Sequence, residues 1–178
     1  MNFLAKIIGY LISFPARSKG MKFGKNSFIA PGYDFLFEQL KNIRLGRDVS
    51  IGKSAWIHTI GTGEIKIGAN TKIGRRVTIA ALEKISIGDG CLFSYDVSIL
   101  DHDHDFQESS SSPTKSGLSE AKTVTIGKNC FIGAHSFVLK GVTLGDHCVV
   151  GANCVVTKSF PGHSIIVGNP GKLVQKNV

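Results

Sequence analysis

The sequence predicts a single all-β domain, a solenoid of short parallel strands with a short N-terminal helix and one long loop. The first observation is that apolar residues recur every six positions at fifteen sites. The second is an excess of glycine, 21 of 178 residues, against a usual share of about 7%. The third is that no helical pattern of ordinary length occurs between residues 45 and 161, which excludes a fold of alternating helices and strands.

The six-residue repeat indicates how the chain folds. Its apolar positions are Leu45, Ile51, Ile57, Ile67, Ile73, Ile79, Ile87, Phe93, Ile99, Ile126, Ile132, Val138, Leu144, Val150 and Val156. Glycine follows nine of them directly, and we expect it there because glycine accepts backbone angles that other residues resist. Three repeats close a three-sided coil, which cannot bury its inner face alone. Successive coils must therefore stack at the strand spacing of about 4.8 Å around one continuous core.

The repeat is interrupted three times. Four extra residues follow Ile57 before the next repeat begins, and two extra residues follow Ile79. After Ile99 the next repeat begins 27 residues later instead of six, so the loop 101–123 leaves the coil. A loop of this length inside a compact domain is usually functional, and we expect the site there.

Residues 1–22 form a separate N-terminal segment. Between Phe3 and Phe14 its apolar residues fall at helical spacing, but Lys6 interrupts them and no small-residue cleavage site of a signal peptide follows. The run is also shorter than the roughly 20 residues that span a bilayer. We therefore expect a cytoplasmic protein, with residues 1–20 either lying on the inner face of the membrane or packing on the protein itself or a neighbouring subunit.

The charge of the chain favours anionic partners. The formal net charge is +8, which suits a membrane surface, a nucleic acid or a phosphate-bearing small molecule. The basic residues are scattered, and no nucleic-acid motif or aromatic-interleaved basic stripe occurs. We therefore expect no nucleic-acid partner.

The start of the long loop carries the residues best suited to chemistry. Asp101, His102, Asp103, His104 and Asp105 stand together there. An imidazole suits proton abstraction near neutral pH, and a neighbouring carboxylate orients it and stabilises its cation. The cluster predicts a general base oriented by Asp101 or Asp103. His-x-His between aspartates also allows a zinc site as the rival interpretation.

The four cysteines indicate packing instead of chemistry. Cys91, Cys130, Cys148 and Cys154 all stand four residues after a repeat start, in a place otherwise filled mainly by valine. A shared place on the inner face predicts core residues. Cysteines without motif spacing also suit a reducing compartment.

The C-terminal third carries the motifs of a known family. These are Ile126–Ala134, Gly141–Asp146, Val150–Asn153, Val155–Lys158 and Gly168–Lys172. With the repeat, they make the chain similar to the hexapeptide-repeat acyltransferases over about residues 23 to 175, and in particular to the maltose and galactoside O-acetyltransferases and the polysaccharide O-acetyltransferases. The resemblance implies a left-handed parallel β-helix catalytic domain over residues 23–166, a C-terminal tail over residues 167–178, a homotrimer, and acetyl-CoA as acyl donor without a metal.

The resemblance also implies site residues. An ungapped alignment through Val97, Ser98 and Ile99 puts His104 on the family's catalytic histidine, and a short bulge would put His102 there. Coenzyme A would lie in a groove between two subunits. By position, the residues implied to bind it are Phe131, Ala134, Ala152, Thr157, Lys158 and Lys172.

The function expected from these features is acetyl-CoA-dependent O-acetylation of a sugar hydroxyl, by direct transfer, in the biosynthesis of a surface polysaccharide. The alternatives are N-acetylation of a nucleotide-linked amino sugar and a zinc enzyme similar to the γ-class carbonic anhydrases, which use the same fold. A non-enzymatic solenoid such as an ice-binding protein is disfavoured, because such proteins carry threonine ranks on a flat face and no loop of this kind.

Overall fold

The computed structural model describes residues 3–32, 40–106, 112 and 116–176. Two helices come first, α1 (Phe3–Ile12) and α2 (Phe14–Ser18), and a 3-10 helix covers Leu40–Asn42. Strands β1 to β19 form three sheets, which we call A, B and C. The chain passes from A to B to C and back to A, so that successive coils stack.

Each sheet collects one strand from every coil that it spans. Sheet A consists of β1 (Lys22–Phe23), β3 (Ile43–Leu45), β6 (Glu64–Ile67), β9 (Lys84–Ile87), β12 (Val124–Ile126) and β15 (Thr143–Leu144). Sheet B consists of β2 (Phe28–Ile29), β4 (Ser50–Ile51), β7 (Lys72–Ile73), β10 (Leu92–Phe93), β13 (Phe131–Ile132), β16 (Val149–Val150), β18 (Ser164–Val167) and β19 (Lys172–Lys176). Sheet C consists of β5 (Trp56–Thr59), β8 (Thr78–Ala81), β11 (Ser98–Leu100), β14 (Phe137–Val138) and β17 (Val155–Val156).

The predicted fold is confirmed. The strands pair in parallel within each sheet, except that β19 is antiparallel to β18. All fifteen predicted repeat positions lie in the core, and none is more than 5% exposed. The four cysteines are buried with them. The chain is a left-handed parallel β-helix, and part of the predicted tail 167–178 adds β19 to the edge of sheet B.

The reason for the repeated glycines differs from the one expected. None of the nine glycines after a repeat start has a positive φ. Instead, a Cβ on Gly46 would lie 2.6 Å from the backbone nitrogen of Ala69 in the next coil, and one on Gly52 would lie 2.5 Å from the carbonyl oxygen of Gly74. Glycine is therefore needed because stacked coils approach closely at the corners.

The left-handed backbone angles occur two residues further on. Asp48, Asn70, Asn129 and Asn153 have φ between 55° and 58°. Asparagine and aspartate tolerate this conformation better than most other residues. These four corners therefore use two different residue types, one for close approach and one for the turn.

The predicted N-terminal helix is confirmed, and it packs against the first coil. Gly9 of α1 lies against the ring of Phe28 in β2. Oγ of Ser13, between α1 and α2, donates to the carbonyl oxygen of Gly9 at 2.6 Å and accepts from the backbone N–H of Ile29 at 2.8 Å. The other side of the segment remains apolar and exposed, with Leu11 66% and Phe14 65% accessible. Within the described residues, no helix has the length and apolar content to cross a bilayer.

Candidate active site

One edge of the three-sided solenoid departs from regularity. We call it the C–A edge, because there the chain passes from sheet C to sheet A, between β5 and β6 (60–63), β8 and β9 (82–83), β11 and β12 (101–123), β14 and β15 (139–142), and after β17 (157–159). Strands β5, β8 and β11 are neighbours in sheet C, and each is followed by one of the three interruptions of the repeat. The extra residues therefore lie side by side on consecutive coils. Loop residues 107–111 and 113–115 fall outside the described residues.

Asp101, the first residue of the loop, is fully buried and anchors this edge. One carboxylate oxygen accepts from the backbone N–H of Leu82 at 2.8 Å. The other accepts from the backbone N–H groups of Glu83 at 2.8 Å and Lys84 at 2.7 Å. An ionised carboxylate, which only accepts hydrogen bonds, suits these donors. The two extra residues after β8 form the corner that provides these N–H donors. The short insertion at 82–83 therefore holds the first residue of the long loop in place.

His102 completes a carboxylate–imidazole pair. Its Nδ1 lies 2.8 Å from the carboxylate oxygen of Asp101 that also accepts from Leu82. The His102 side chain is 10% exposed, against 0% for Asp101. A buried carboxylate beside Nδ1 favours the tautomer that carries its proton there, which leaves Nε2 as the nitrogen that accepts a proton.

His102 lines a cleft of about 360 Å³. The walls come from three strands of sheet C and from both ends of the loop. The lining residues are Trp56, His58, Ile60, Ala80, Leu100, His102, Asp103, His104 and Leu118. Five of these nine are apolar or aromatic. The cleft is therefore mainly apolar, with three imidazoles and one carboxylate among its lining residues, as is usual for small-molecule sites.

His58 is a second buried imidazole in this cleft. It is 5% exposed and stacks on Trp56, with ring centroids 4.1 Å apart and an angle of 28° between the rings. Burial lowers the pKa of His58 below its usual 6.5, and the neighbouring His102 lowers it further. His58 is therefore neutral at neutral pH and adds no positive charge beside His102.

His104, the first candidate for the general base from the sequence, has a different environment from His102. It is exposed and forms an isolated antiparallel bridge with Leu118 across the loop. Asp103 beside it pairs with Lys140, at 3.0 Å between carboxylate oxygen and ammonium nitrogen. The ungapped alignment favours His104, but the contact with Asp101 is made by His102. His104 borders the same cleft and a second, polar cleft of about 500 Å³ that Lys122 and Lys140 also line.

Two rival chemistries are disfavoured by the side chains. Burial raises the pKa of the Cys148 and Cys154 thiols, which disfavours the thiolate that nucleophilic catalysis needs. A hydrogen bond with Cys130 lowers the pKa of Cys91, but Cys91 is only 1% exposed and lies in the core. Among the residues that the structure describes, no three His, Cys, Asp or Glu side chains converge as a metal site would require.

Comparison with known proteins decides the family. Residues 123–158 match the family described as "Hexapeptide repeat of succinyl-transferase". The putative lipopolysaccharide biosynthesis O-acetyl transferase WbbJ of Escherichia coli K12 is 32% identical over 141 residues, which cover 76% of this chain and 72% of the relative. The chain belongs to the hexapeptide-repeat acetyltransferases. It is therefore an enzyme, and acetyl-CoA is its acyl donor.

Solved structures show the same fold at lower identity. The N-acyltransferase AntD from Bacillus cereus, in complex with dTDP and 3-hydroxybutyryl-CoA, superposes with a TM-score of 0.76 at 23% identity, over 91% of this chain and 86% of that chain. A maltose O-acetyltransferase from Clostridium difficile 630 gives a TM-score of 0.58 at 21% identity, over 99% and 90% of the two chains.

The residues that the sequence assigns to coenzyme A lie on two sides of the acetyltransferase. Ala134 and Ala152 stack at the corner between sheets B and C, and the backbone N–H of Asn153 donates to the carbonyl oxygen of Ala134 at 2.9 Å. Phe131, 39% exposed, and Lys172 belong to sheet B. Thr157 and Lys158 are exposed on the C–A edge, two coils beyond His102 in the stacking direction.

Two residues that line the cleft were not singled out from the sequence. Trp56 flanks a repeat start, and His58 follows one as an apparently scattered histidine. Counting repeats in threes would have found them, because every interruption falls after the third strand of a coil. His58 and His102 both follow strands of sheet C and therefore had to lie on one edge.

Proposed function

We propose that this acetyltransferase transfers the acetyl group of acetyl-CoA to a hydroxyl of a sugar, with His102 as the general base. The observation that carries the proposal is the 2.8 Å contact between Nδ1 of His102 and the buried carboxylate of Asp101, beside a cleft. Asp101 acts as a positioning residue. His104 borders the same cleft, and no carboxylate among the described residues forms an ion pair with its imidazole.

The proposed reaction is a direct transfer. Nε2 of His102 takes the proton of the acceptor hydroxyl while its oxygen attacks the thioester carbonyl, and a backbone N–H stabilises the oxyanion. The carbon–sulfur bond then breaks, and the imidazolium returns the proton to the thiolate of coenzyme A. The products are an acetyl ester and free coenzyme A, and no acyl-enzyme is formed.

The biosynthesis of a surface polysaccharide is the proposed setting. It is supported by the similarity to WbbJ, whose name assigns it to lipopolysaccharide biosynthesis. An amine on a nucleotide-linked sugar is the second candidate acceptor, and the similarity of fold to AntD favours it. Both acceptors use the same base.

An acceptor screen tests the proposed reaction. The full chain is incubated with acetyl-CoA and with hydroxyl sugars or 4-amino sugars, free and nucleotide-linked. Release of the coenzyme A thiol is followed, and the product is identified by mass spectrometry and by ester hydrolysis with mild base. A monoacetylated sugar that mild base hydrolyses is an ester and supports O-transfer. A product that resists mild base is an amide and would support N-transfer instead. If no sugar increases the release of the coenzyme A thiol, both the O-transfer and the N-transfer proposals are contradicted.

The proposed coenzyme A site lies between two copies of the chain. Ala134 and Ala152 occupy one corner of the solenoid, whereas Thr157 and Lys158 occupy another, so one extended ligand would reach both sets only where two copies meet. Small residues let the ligand approach the backbone, and lysines offset phosphate charge. A homotrimer would provide three such grooves.

The N-terminal segment is proposed to bring the enzyme to the inner face of the membrane. Leu11 and Phe14 are exposed, and Lys19, directly after α2, and Lys22 in β1 are exposed cations. Exposed apolar and cationic residues together are typical of interfacial helices. Co-sedimentation with phosphatidylglycerol vesicles is expected, and Leu11→Glu should abolish it while Val174→Glu, at the other end of the solenoid, should not. Equal sedimentation of both variants would contradict membrane contact.

A further inference from the structure

The basic residues of the chain are concentrated at one end of the solenoid. Of its 21 lysines and arginines, 13 lie in residues 1–80, together with only 4 of its 13 acidic residues. The first 80 residues therefore carry a net charge of +9, and the remaining 98 carry a net charge of −1. The coils stack in chain order, so this excess belongs to the N-terminal end. A charge asymmetry of this size favours an anionic partner there.

Three of these cations lie far apart in the sequence but form a row on the outer face of sheet A. Lys22 of β1 is in register with Arg44 of β3, and Arg44 is in register with Lys66 of β6. All three are exposed, and neighbouring strands lie about 4.8 Å apart. We call these three residues the cationic row. Beyond them the same row is uncharged and consists of Ser86, Thr125 and Thr143.

The fold does not need cations in this row. Like charges that face each other on neighbouring strands repel and destabilise a sheet, and hydroxyl residues fill the same row in the later coils. A carboxylate oxygen of Glu64 lies 3.3 Å from Nζ of Lys66 and offsets one charge. Within the described parts of the chain, neither Lys22 nor Arg44 forms an ion pair. Repelling charges without partners suit an anionic ligand.

The cationic row begins beside the exposed apolar surface of the N-terminal helices. Lys22 follows α2 after a short turn, and a Cβ on Gly20 in this turn would lie 3.1 Å from Cβ of Lys41, a further exposed cation. The exposed apolar and aromatic residues of the helices are Ile7, Ile8, Tyr10, Leu11 and Phe14. Apolar burial and attraction to headgroup charge add together when a protein binds an anionic membrane.

Sheet A is also the face that self-association would leave free. The outward residues of its strands are polar, whereas sheets B and C expose large apolar residues that include Leu92, Phe131 and Phe137, 39% to 46% accessible. Copies of the chain that pack through these apolar residues leave the cationic row in solvent. The strands of sheet A begin at the C–A edge, so a surface bound to the row lies beside the edge that carries His102.

We propose that the outer face of sheet A is a docking surface for an anionic membrane, where the cationic row binds the phosphate groups of lipid headgroups while the helices insert apolar side chains. This inference rests on the proposed membrane contact of the N-terminal segment, and not on acetyl transfer. It adds a second contact of different chemistry and an orientation. With sheet A toward the bilayer, the C–A edge lies beside the surface and suits an acceptor that is attached to a lipid.

Vesicle binding of two matched triple variants tests the docking surface. The row variant is Lys22→Gln/Arg44→Gln/Lys66→Gln. The control variant replaces three exposed cations of the second and third coils, on sheet B and its corner with sheet C, and is Lys53→Gln/Lys72→Gln/Arg75→Gln. Each variant lowers the net charge of +8 by three. Co-sedimentation of the full chain is measured with vesicles of phosphatidylcholine alone and of its equal mixture with phosphatidylglycerol, at low and high NaCl.

The expected result is selective loss of binding in the row variant. The wild type and the control variant should bind only the mixed vesicles, and less tightly at high NaCl because salt screens the attraction. The partition coefficient of the row variant should fall roughly 10–100-fold. Its unfolding midpoint in urea should equal or exceed that of the wild type, because repelling charges have been removed.

Three results would overturn the docking surface. The first is an equal loss of binding in the two triple variants, which would indicate a general effect of charge. The second is equal binding of the wild type to both kinds of vesicle, or to neither. The third is binding of a DNA duplex by the wild type but not by the row variant, without vesicle binding, which would replace the lipid surface with a nucleic acid.

Leu11→Glu separates the two membrane contacts. Loss of vesicle binding in Leu11→Glu, with normal binding in the row variant, would overturn the docking surface on sheet A and leave the helix contact in place. Loss in the row variant, with normal binding in Leu11→Glu, would overturn the helix contact and leave the cationic row in place.

Discussion

At the scale of single residues, Asp101 joins the fold to the site. Its carboxylate accepts from three backbone N–H groups of one corner and contacts His102. A loop carboxylate exposed to solvent would hold neither this corner nor the His102 imidazole in place. The burial of Asp101 therefore explains why the imidazole of His102 beside it has a defined orientation.

Replacing Asp101 should cost stability as well as activity. Asp101→Asn turns one acceptor oxygen into an NH₂ group that faces N–H donors, and a buried donor without an acceptor costs about 1–3 kcal/mol. We expect the free energy of unfolding, measured by urea titration, to fall by about 2–4 kcal/mol. Asp103→Asn removes a half-exposed ion pair and should cost less than about 1 kcal/mol. Equal losses in the two variants would contradict the anchoring role of Asp101.

His58 should make stability depend on pH. Its folded-state pKa lies below the unfolded value of 6.5, so the unfolded state binds more protons as pH falls. The stabilisation is therefore complete above about pH 6.5 and is lost as pH falls through the lowered pKa. His58→Gln should flatten this part of the urea-unfolding profile between about pH 7 and 5. A variant profile parallel to the wild-type profile would show that His58 does not titrate as described.

The sequence predicts where the candidate site lies and which residue types it contains, but not which histidine contacts the carboxylate or which residues of other coils line the cleft. The loop and its Asp-His cluster follow from the interruption of the repeat. The choice between His102 and His104 depends on which imidazole turns toward Asp101, and adjacent residues in an irregular segment carry no periodicity that fixes this. Trp56 and His58 lie more than forty residues earlier in the chain and join the site only through stacking of the coils.

At the scale of elements, the close approach at the corners sets a strict limit on residue size. A Cβ on Gly46 would lie 2.6 Å from a backbone atom of the next coil, and stacked strands cannot move apart without losing hydrogen bonds. Gly46→Ala should therefore lower the free energy of unfolding by about 1–3 kcal/mol or more. Asn70→Gly, at a left-handed corner position, should change it by less than about 1 kcal/mol. The reverse order, measured by thermal or urea unfolding, would contradict the close-approach explanation.

The elements themselves were largely predictable, since the apolar period of six fixes which residues face inward. The role of the repeated glycines could not be predicted, because a positive φ and a close approach between coils both favour glycine. The period also left open how the N-terminal helix packs. That depends on Gly9 and Ser13, two small residues whose contacts with β2 have no signature in the pattern.

At the scale of the whole molecule, the interruptions of the repeat lie on one edge and the assigned coenzyme A residues lie on two sides. The homotrimer that the family resemblance implies would bring the two sets of residues together between copies, and we propose that the sites form there. Light scattering should give a mass about three times the 19.1 kDa of one chain. A monomer with full transferase activity would contradict the shared site.

The most direct test of the account is the kinetics of acetyl transfer in His102→Asn and His104→Asn. Both variants remove an imidazole from the same cleft, but only His102 contacts the buried carboxylate of Asp101. We expect kcat to fall by about 10²–10⁴-fold in His102→Asn and by only a few-fold in His104→Asn, with unfolding midpoints close to that of the wild type. A large loss in His104→Asn with nearly normal turnover in His102→Asn would contradict the account.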